Sequence, residues 1–172
     1  EARDKPVWLN LFRDKVAVEK AVVPLSDNLH LIPSNLNNSR LDTELTQSSA
    51  NLKDLIKDIL NPIRNDYDLI IIDCPPAINK INAAATCASD IVIVPINPDP
   101  YAMDGLDYTI SELNRIKKDF KLFFDYKIVW NKYDARERLG AVYMHELMKR
   151  ENLSNNILPV VCRVDASLKN AV

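Results

Sequence analysis

The sequence predicts an α/β fold: a doubly wound, mostly parallel sheet with helices on both faces. Three observations predict it. Apolar runs of strand length alternate with helix-period segments along most of the chain. Two of those runs, LIII at residues 69–72 and IVIV at residues 91–94, are aliphatic at every position, which suits strands buried on both faces. No internal repeat or linker divides the 172 residues, a length that fits one domain with a sizeable core. Residues 1–172 therefore read as a single domain.

The elements follow in order. LHLI, residues 29–32, is a short strand stopped by Pro33. Residues 48–60 form a helix with Leu52, Leu55, Ile56, Ile59 and Leu60 on one face, ended by Asn61-Pro62. The strand 69–72 comes next. Residues 80–88, KINAAATCA, read as a helix whose small side chains allow close packing. The strand 91–94 is closed by Pro95. Residues 104–118 place Leu106, Ile110, Leu113 and Ile116 on one helical stripe, and residues 122–130 hold another strand. Residues 138–150 form a helix with Leu139, Val142, Tyr143 and Leu147 inward, and ILPVV at 157–161 is the last strand.

Composition narrows the function classes. The chain is 47% hydrophobic and 27% charged, ordinary for a globular protein, with no apolar run near the roughly 20 residues that span a bilayer. The first residues, EARDKPVWLN, are mixed and charged and do not form a signal peptide. Cys74, Cys87 and Cys162 stand far apart without a C-x-x-C, which argues for a reducing compartment and against a zinc site or disulfide framework. His30 and His145 are too few for a histidine metal centre. Charge is uneven: residues 1–126 carry 14 Lys/Arg against 19 Asp/Glu, and residues 127–172 carry 8 against 5. The basic last third points to a polyanion partner.

YDLIIIDCPP, residues 67–76, holds the strongest chemical signal. The apolar run ends in Asp73, and two prolines follow one residue later. In a doubly wound sheet, ligands bind outside the carboxyl ends of the strands. The loops after the strands are expected to bring Asp73, Asp99, Asn131, Lys132, Asp134, Arg136, Arg163 and Asp165 to one rim. A carboxylate fixed there suits capture of Mg²⁺ through its water ligands. Pro75 and Pro76 remove two backbone donors and hold the chain extended, leaving the next loop free to move as a switch. The plainer reading is that Asp73 caps the following turn.

Several motifs then fall in line. Asp73 to Pro76 gives D-x-P-P, a helix ends in Ala88-Ser89-Asp90, Val92 to Pro95 gives V-x-V-P, and Tyr101 to Leu106 gives Y-A-x-x-G-L. NKYDARERLG and LPVVCRVDASLKNAV follow. Together, from about residue 29 to the end, they resemble the ParA/Soj partition ATPases, deviant Walker P-loop proteins. The resemblance implies a P-loop NTPase-like domain using ATP and Mg²⁺, dimerisation with bound ATP, nonspecific double-stranded DNA binding, a ParB-type centromere-binding partner that stimulates hydrolysis, and a cytoplasmic, nucleoid-associated location with no membrane role. It implies that Asp73 is the Walker B aspartate, catalytic and holding Mg²⁺ through water. Cys74, Pro75, Pro76 and Asn82 fall in a switch II segment at the dimer interface. Arg136 and Arg163 take nonspecific DNA-binding positions, and Asn131, Pro159 and Val161 line an adenine pocket.

The sequence also departs from the family pattern. Its two glycines, Gly105 and Gly140, open no G-x-x-x-x-G-K-[ST], so the phosphate cradle and its strand are absent from these residues. VWLNLF at 7–12 takes the place of the family's short helix after the first switch, and the family's final helix has no counterpart after Val172. The domain is therefore expected to be incomplete at its N-terminus, and slightly at its C-terminus. Val160-Val161 stand where the family has Arg-Asn, which bears on the adenine contacts. One alternative is a non-enzymatic ParA-like DNA-binding or regulatory module. Another, a GTP switch, is prompted by the N-K-x-D match at residues 131–134, a short motif. DASLKNAV lacks the amphipathic pattern of a MinD-type membrane helix, and the cysteines lack the pairing of a nitrogenase iron protein.

Overall fold

In a computed structural model, the structure describes residues 5–36, 40–77, 79–97, 99–134, 136–165 and 167. The chain forms two compact units, Glu1–Ala88 and Ser89–Val172.

The first unit is mainly helical. It holds α1 (Trp8–Arg13), α2 (Val18–Ala21), the strands β1 (Val23–Ser26) and β2 (Leu29–Leu31), α3 (Leu41–Gln47), α4 (Leu52–Leu60) and α5 (Lys80–Ala88). α4 starts where Asn51 accepts the Lys53 amide at 3.1 Å. Its Ile56 and Leu60 join Leu11, Val18, Ala21, Ile63, Ala84 and Ala85 in the core of this unit. In α5, residues 83–87 are all buried, and their small side chains let α4 lie close. The first turn of α5 draws on another helix: the Lys80 amide donates to Asp42 Oδ1 of α3 at 2.8 Å. β1 and β2 pair as an antiparallel hairpin, which the sequence reading of LHLI did not anticipate.

The second unit holds β3 (Ile91–Ile96), α6 (Pro100–Phe120), β4 (Asp125–Tyr133), α7 (Arg138–Met148) and β5 (Ile157–Arg163). The three strands form a parallel sheet in the order β3-β4-β5, with Ile91 opposite Asp125 and Ile96 opposite Trp130. Each parallel step needs a crossover, which α6 and α7 supply. Asp99 caps α6 by accepting the Tyr101 amide at 3.0 Å. Toward the other end of α6, the Lys117 ammonium lies over the Phe124 and Tyr126 rings at 4.7 and 5.4 Å. This α/β unit with its parallel sheet bears out the predicted fold class.

The structure corrects several element readings. Among the described residues, 69–72 belongs to no strand: Leu69 is 73% and Ile71 81% exposed, while Tyr67 and Ile72 pack against the first core. A ladder needs a partner, and the only ladder described in that unit is the β1–β2 hairpin. The strand at 91 is not doubly buried either. Val94 and Ile96 are buried, whereas Ile91 and Ile93 on the opposite face are exposed. Pro95 does not close it: the strand runs on to Ile96, with Pro95 opposite Val129, because β3 is an edge strand that need not donate there. In α7, Leu147 is buried and Tyr143 half-buried, but Leu139 and Val142 are exposed, so the helix buries a narrower stripe than its sequence offers.

Candidate functional site

Parallel strands bring their carboxyl ends to one edge of the second unit. Beyond β3, a cavity of about 240 Å³ opens between the strand end and the first turns of α6, lined by Ile96, Asn97, Asp99, Ala102 and Gly105 among others. A Cβ placed on Gly105 would meet no heavy atom within 4 Å, so packing does not demand a glycine at this motif position. Asp99 is committed to capping α6.

Beyond β4, the chain turns at Asp134. The Asp134 Oδ1 accepts the backbone N–H of Arg136 at 3.0 Å, closing an Asx turn. The same carboxylate takes the guanidinium in a fork: Arg136 Nε donates to Oδ1 at 2.9 Å and Nη2 to Oδ2 at 2.6 Å. These bonds hold the Asp134 carboxyl down at about 2. Arg136 is thus neither buried nor a loose solvated charge. Arg163 lies at the end of β5, in register with Tyr133, and is exposed. Asp165 accepts the Ser167 amide at 2.8 Å, which lowers its carboxyl.

Asn131 is half-buried in β4, beside Trp130, whose register partner is Val161 on β5. The sheet therefore brings Asn131 and Val161 onto adjacent strands. Pro159 lies two residues before Val161 and is exposed, where the β4–β5 register shifts.

Asp73 belongs to the first unit, exposed at the end of the apolar run, with Cys74, Pro75 and Pro76 exposed after it. Partial desolvation around the sulfur, and then the Asp73 charge, push the Cys74 thiol up, which makes it a poor nucleophile. Asn82 of α5 ties down the turn. Its Nδ2 donates to the Pro75 carbonyl at 2.8 Å and also to the Ala77 carbonyl, and its own amide is capped by Asn79 Oδ1 at 2.9 Å. The turn after the proline pair and the helix that follows are thereby joined by one side chain. The sequence reading placed Asn82 in this segment without its role; the Asn79-x-x-Asn82 spacing at a helix start was the available signal. The Asp134–Arg136 fork was likewise missed, although Asp-x-Arg after a strand is Asx-turn spacing.

Comparison with known proteins gives the family. A family model described as an AAA domain (AAA_31) matches residues 3–126. The sporulation initiation inhibitor protein Soj of Bacillus subtilis (strain 168) is 27% identical over 136 residues, which is 77% of this chain and 53% of Soj. The chromosome partitioning protein ParA of Myxococcus xanthus is 30% identical over 120 residues, 69% of this chain and 42% of that protein. The chain belongs to the ParA/Soj family. It spans about half the length of these relatives. Among solved structures, Cyanothece McdA in complex with ATP matches at a TM-score of 0.83, with 22% identity, over 98% of this chain and 66% of McdA. A Borrelia burgdorferi plasmid partition protein bound to AMPPNP matches at 0.78, with 21% identity, over all of this chain and 67% of that one. At such identities the structural likeness speaks for the ParA-like fold.

Proposed function

We propose that the protein is an ATP-dependent DNA partition protein acting as one ATPase domain. Mg-ATP drives dimerisation, the dimer binds DNA without reading sequence, and a ParB-type centromere-binding protein stimulates hydrolysis, in the cytoplasm and on the nucleoid. The observation that carries this reading is the exposed Asp73 carboxylate, set before a proline pair that Asn82 ties to α5, in a chain of the ParA/Soj family.

The residues fit the ligands. The Asn131 amide has donors and an acceptor to match the edge of adenine, and Val161 offers an exposed branched side chain on the adjacent strand. Asp73 would accept hydrogen bonds from Mg²⁺ waters, and the ion would neutralise charge on the transferred phosphate. The turn at residues 74–76, held by Asn82, would act as switch II at the dimer interface. Nothing among these 172 residues matches a Walker A cradle, so this stretch by itself is expected to hydrolyse no ATP.

The DNA reading rests on Arg136 and Arg163, both exposed, one beyond the end of β4 and the other the last residue of β5, in the net-positive part of the chain. Phosphate contacts release counterions, so binding should weaken steeply with salt and ignore base sequence. In the natural-length protein with ATP and Mg²⁺, Arg136→Ala and Arg163→Ala should each flatten the slope of log K against log salt by up to about 0.9, equally on two unrelated duplexes. An unchanged slope for both would remove them from the interface. Loss on one duplex only would mean base readout.

A further inference from the structure

Arg136 already has an anion. Its side chain is 88% exposed, but the Asp134 carboxylate that holds it is only 17% exposed and is fixed by the Asx turn. The carboxylate is the rooted member of the pair and the guanidinium the reaching one. The fork occupies Nε and one N–H of Nη2 and leaves Nη1 outside the pair. Asp134 stays ionised throughout the neutral range. A phosphate arriving at this loop therefore meets an arginine whose charge is largely cancelled, with a fixed negative charge beside it.

We propose that Asp134 is a built-in competitor for the phosphate site of Arg136, an autoinhibitory contact that limits the affinity of this loop for the nucleic-acid backbone. The proposal rests on the DNA-binding reading above. An exposed ion pair of this kind is worth a factor of about 1.5 to 5 in an equilibrium, enough to weaken a phosphate contact and small enough for a polyanion to displace. Such a restraint keeps nonspecific binding readily reversible. Lys132 and Arg138, both exposed on the same stretch, would supply steering charge that Asp134 does not hold in this fork.

The test is a salt titration of the natural-length protein with ATP and Mg²⁺ on two duplexes of unrelated sequence. Asp134→Asn removes the charge but keeps an oxygen for the Asx turn, and Asp134→Ser does the same with a shorter side chain. Both should bind about two- to five-fold tighter at low salt, with a slope steeper by up to about 0.9. The gain should vanish when Arg136→Ala is added. Equal or weaker binding by Asp134→Asn and Asp134→Ser would overturn the proposal and make Asp134 a residue that presents Arg136. A gain that survives Arg136→Ala would overturn it too, as a general charge effect. If the unaltered protein binds neither duplex, the DNA reading falls and takes this proposal with it.

Discussion

Residues 69–72 and 91–94 are four-residue aliphatic runs, LIII and IVIV, and by composition they should behave alike. They do not. The second is part of a strand paired residue by residue with β4; it buries Val94 while Ile91 and Ile93 face out. The first lies in no strand among the described residues and exposes Leu69 and Ile71. A strand is a property of a pair. Aliphatic side chains make a run willing to be a strand, but the backbone N–H and C=O groups need a ladder. β4 supplies one to 91–96, while among the described residues the first unit offers only its own short hairpin.

This contrast can be broken by mutation. The largest effect should come from the partner strand: Ile128, opposite Val94, is fully buried, and Ile128→Ala should cost about 2–5 kcal/mol. Ile71→Ser in the exposed run should cost less than about 0.5 kcal/mol. Urea unfolding of the two variants measures both, and similar costs would mean that 69–72 is packed as tightly as the sheet. A smaller effect is expected at the turn that ends the first run. Asn82→Ala removes two donors from the Pro75 and Ala77 carbonyls and should cost about 1 kcal/mol. It should also speed proteolysis between residues 73 and 79 with little change at β3. Unchanged cleavage there would mean that the turn is held by something other than Asn82.

Much of the fold was legible in advance. The α5 segment matches its predicted span residue for residue, because five buried small residues in a row have no other good home. α6 was found from its apolar stripe, although its true start at Pro100 is set by the Asp99 cap rather than by that stripe. Burial was less legible. Leu139 and Val142 look inward on a helical wheel yet are exposed, because an apolar stripe states what a helix can bury and the neighbours decide how much. Among the candidate site residues, Asp73, Arg136 and Arg163 stand out by their place after apolar runs. Their bonds leave only short local spacings as a signal: the fork of Arg136 with Asp134 depends on an Asx turn, and the Asn82 clasp on how a proline pair folds back toward α5. Both are backbone-geometry effects that side-chain periodicity does not encode.

The two runs also differ in where they place an acid, and this difference reaches function. Asp73 follows the first run, at what would be the ligand end of a strand, whereas Asp90 precedes the second, and its carbonyl accepts the Asp125 amide at 3.1 Å. The most direct measurement is Mg²⁺-dependent phosphate release from ATP by the natural-length protein carrying Asp73→Ala or Asp90→Ala. The metal-orienting role of Asp73 predicts a loss of about 10- to 100-fold or more for Asp73→Ala and near-normal turnover for Asp90→Ala. Full turnover by Asp73→Ala, or equal loss in both variants, would contradict it.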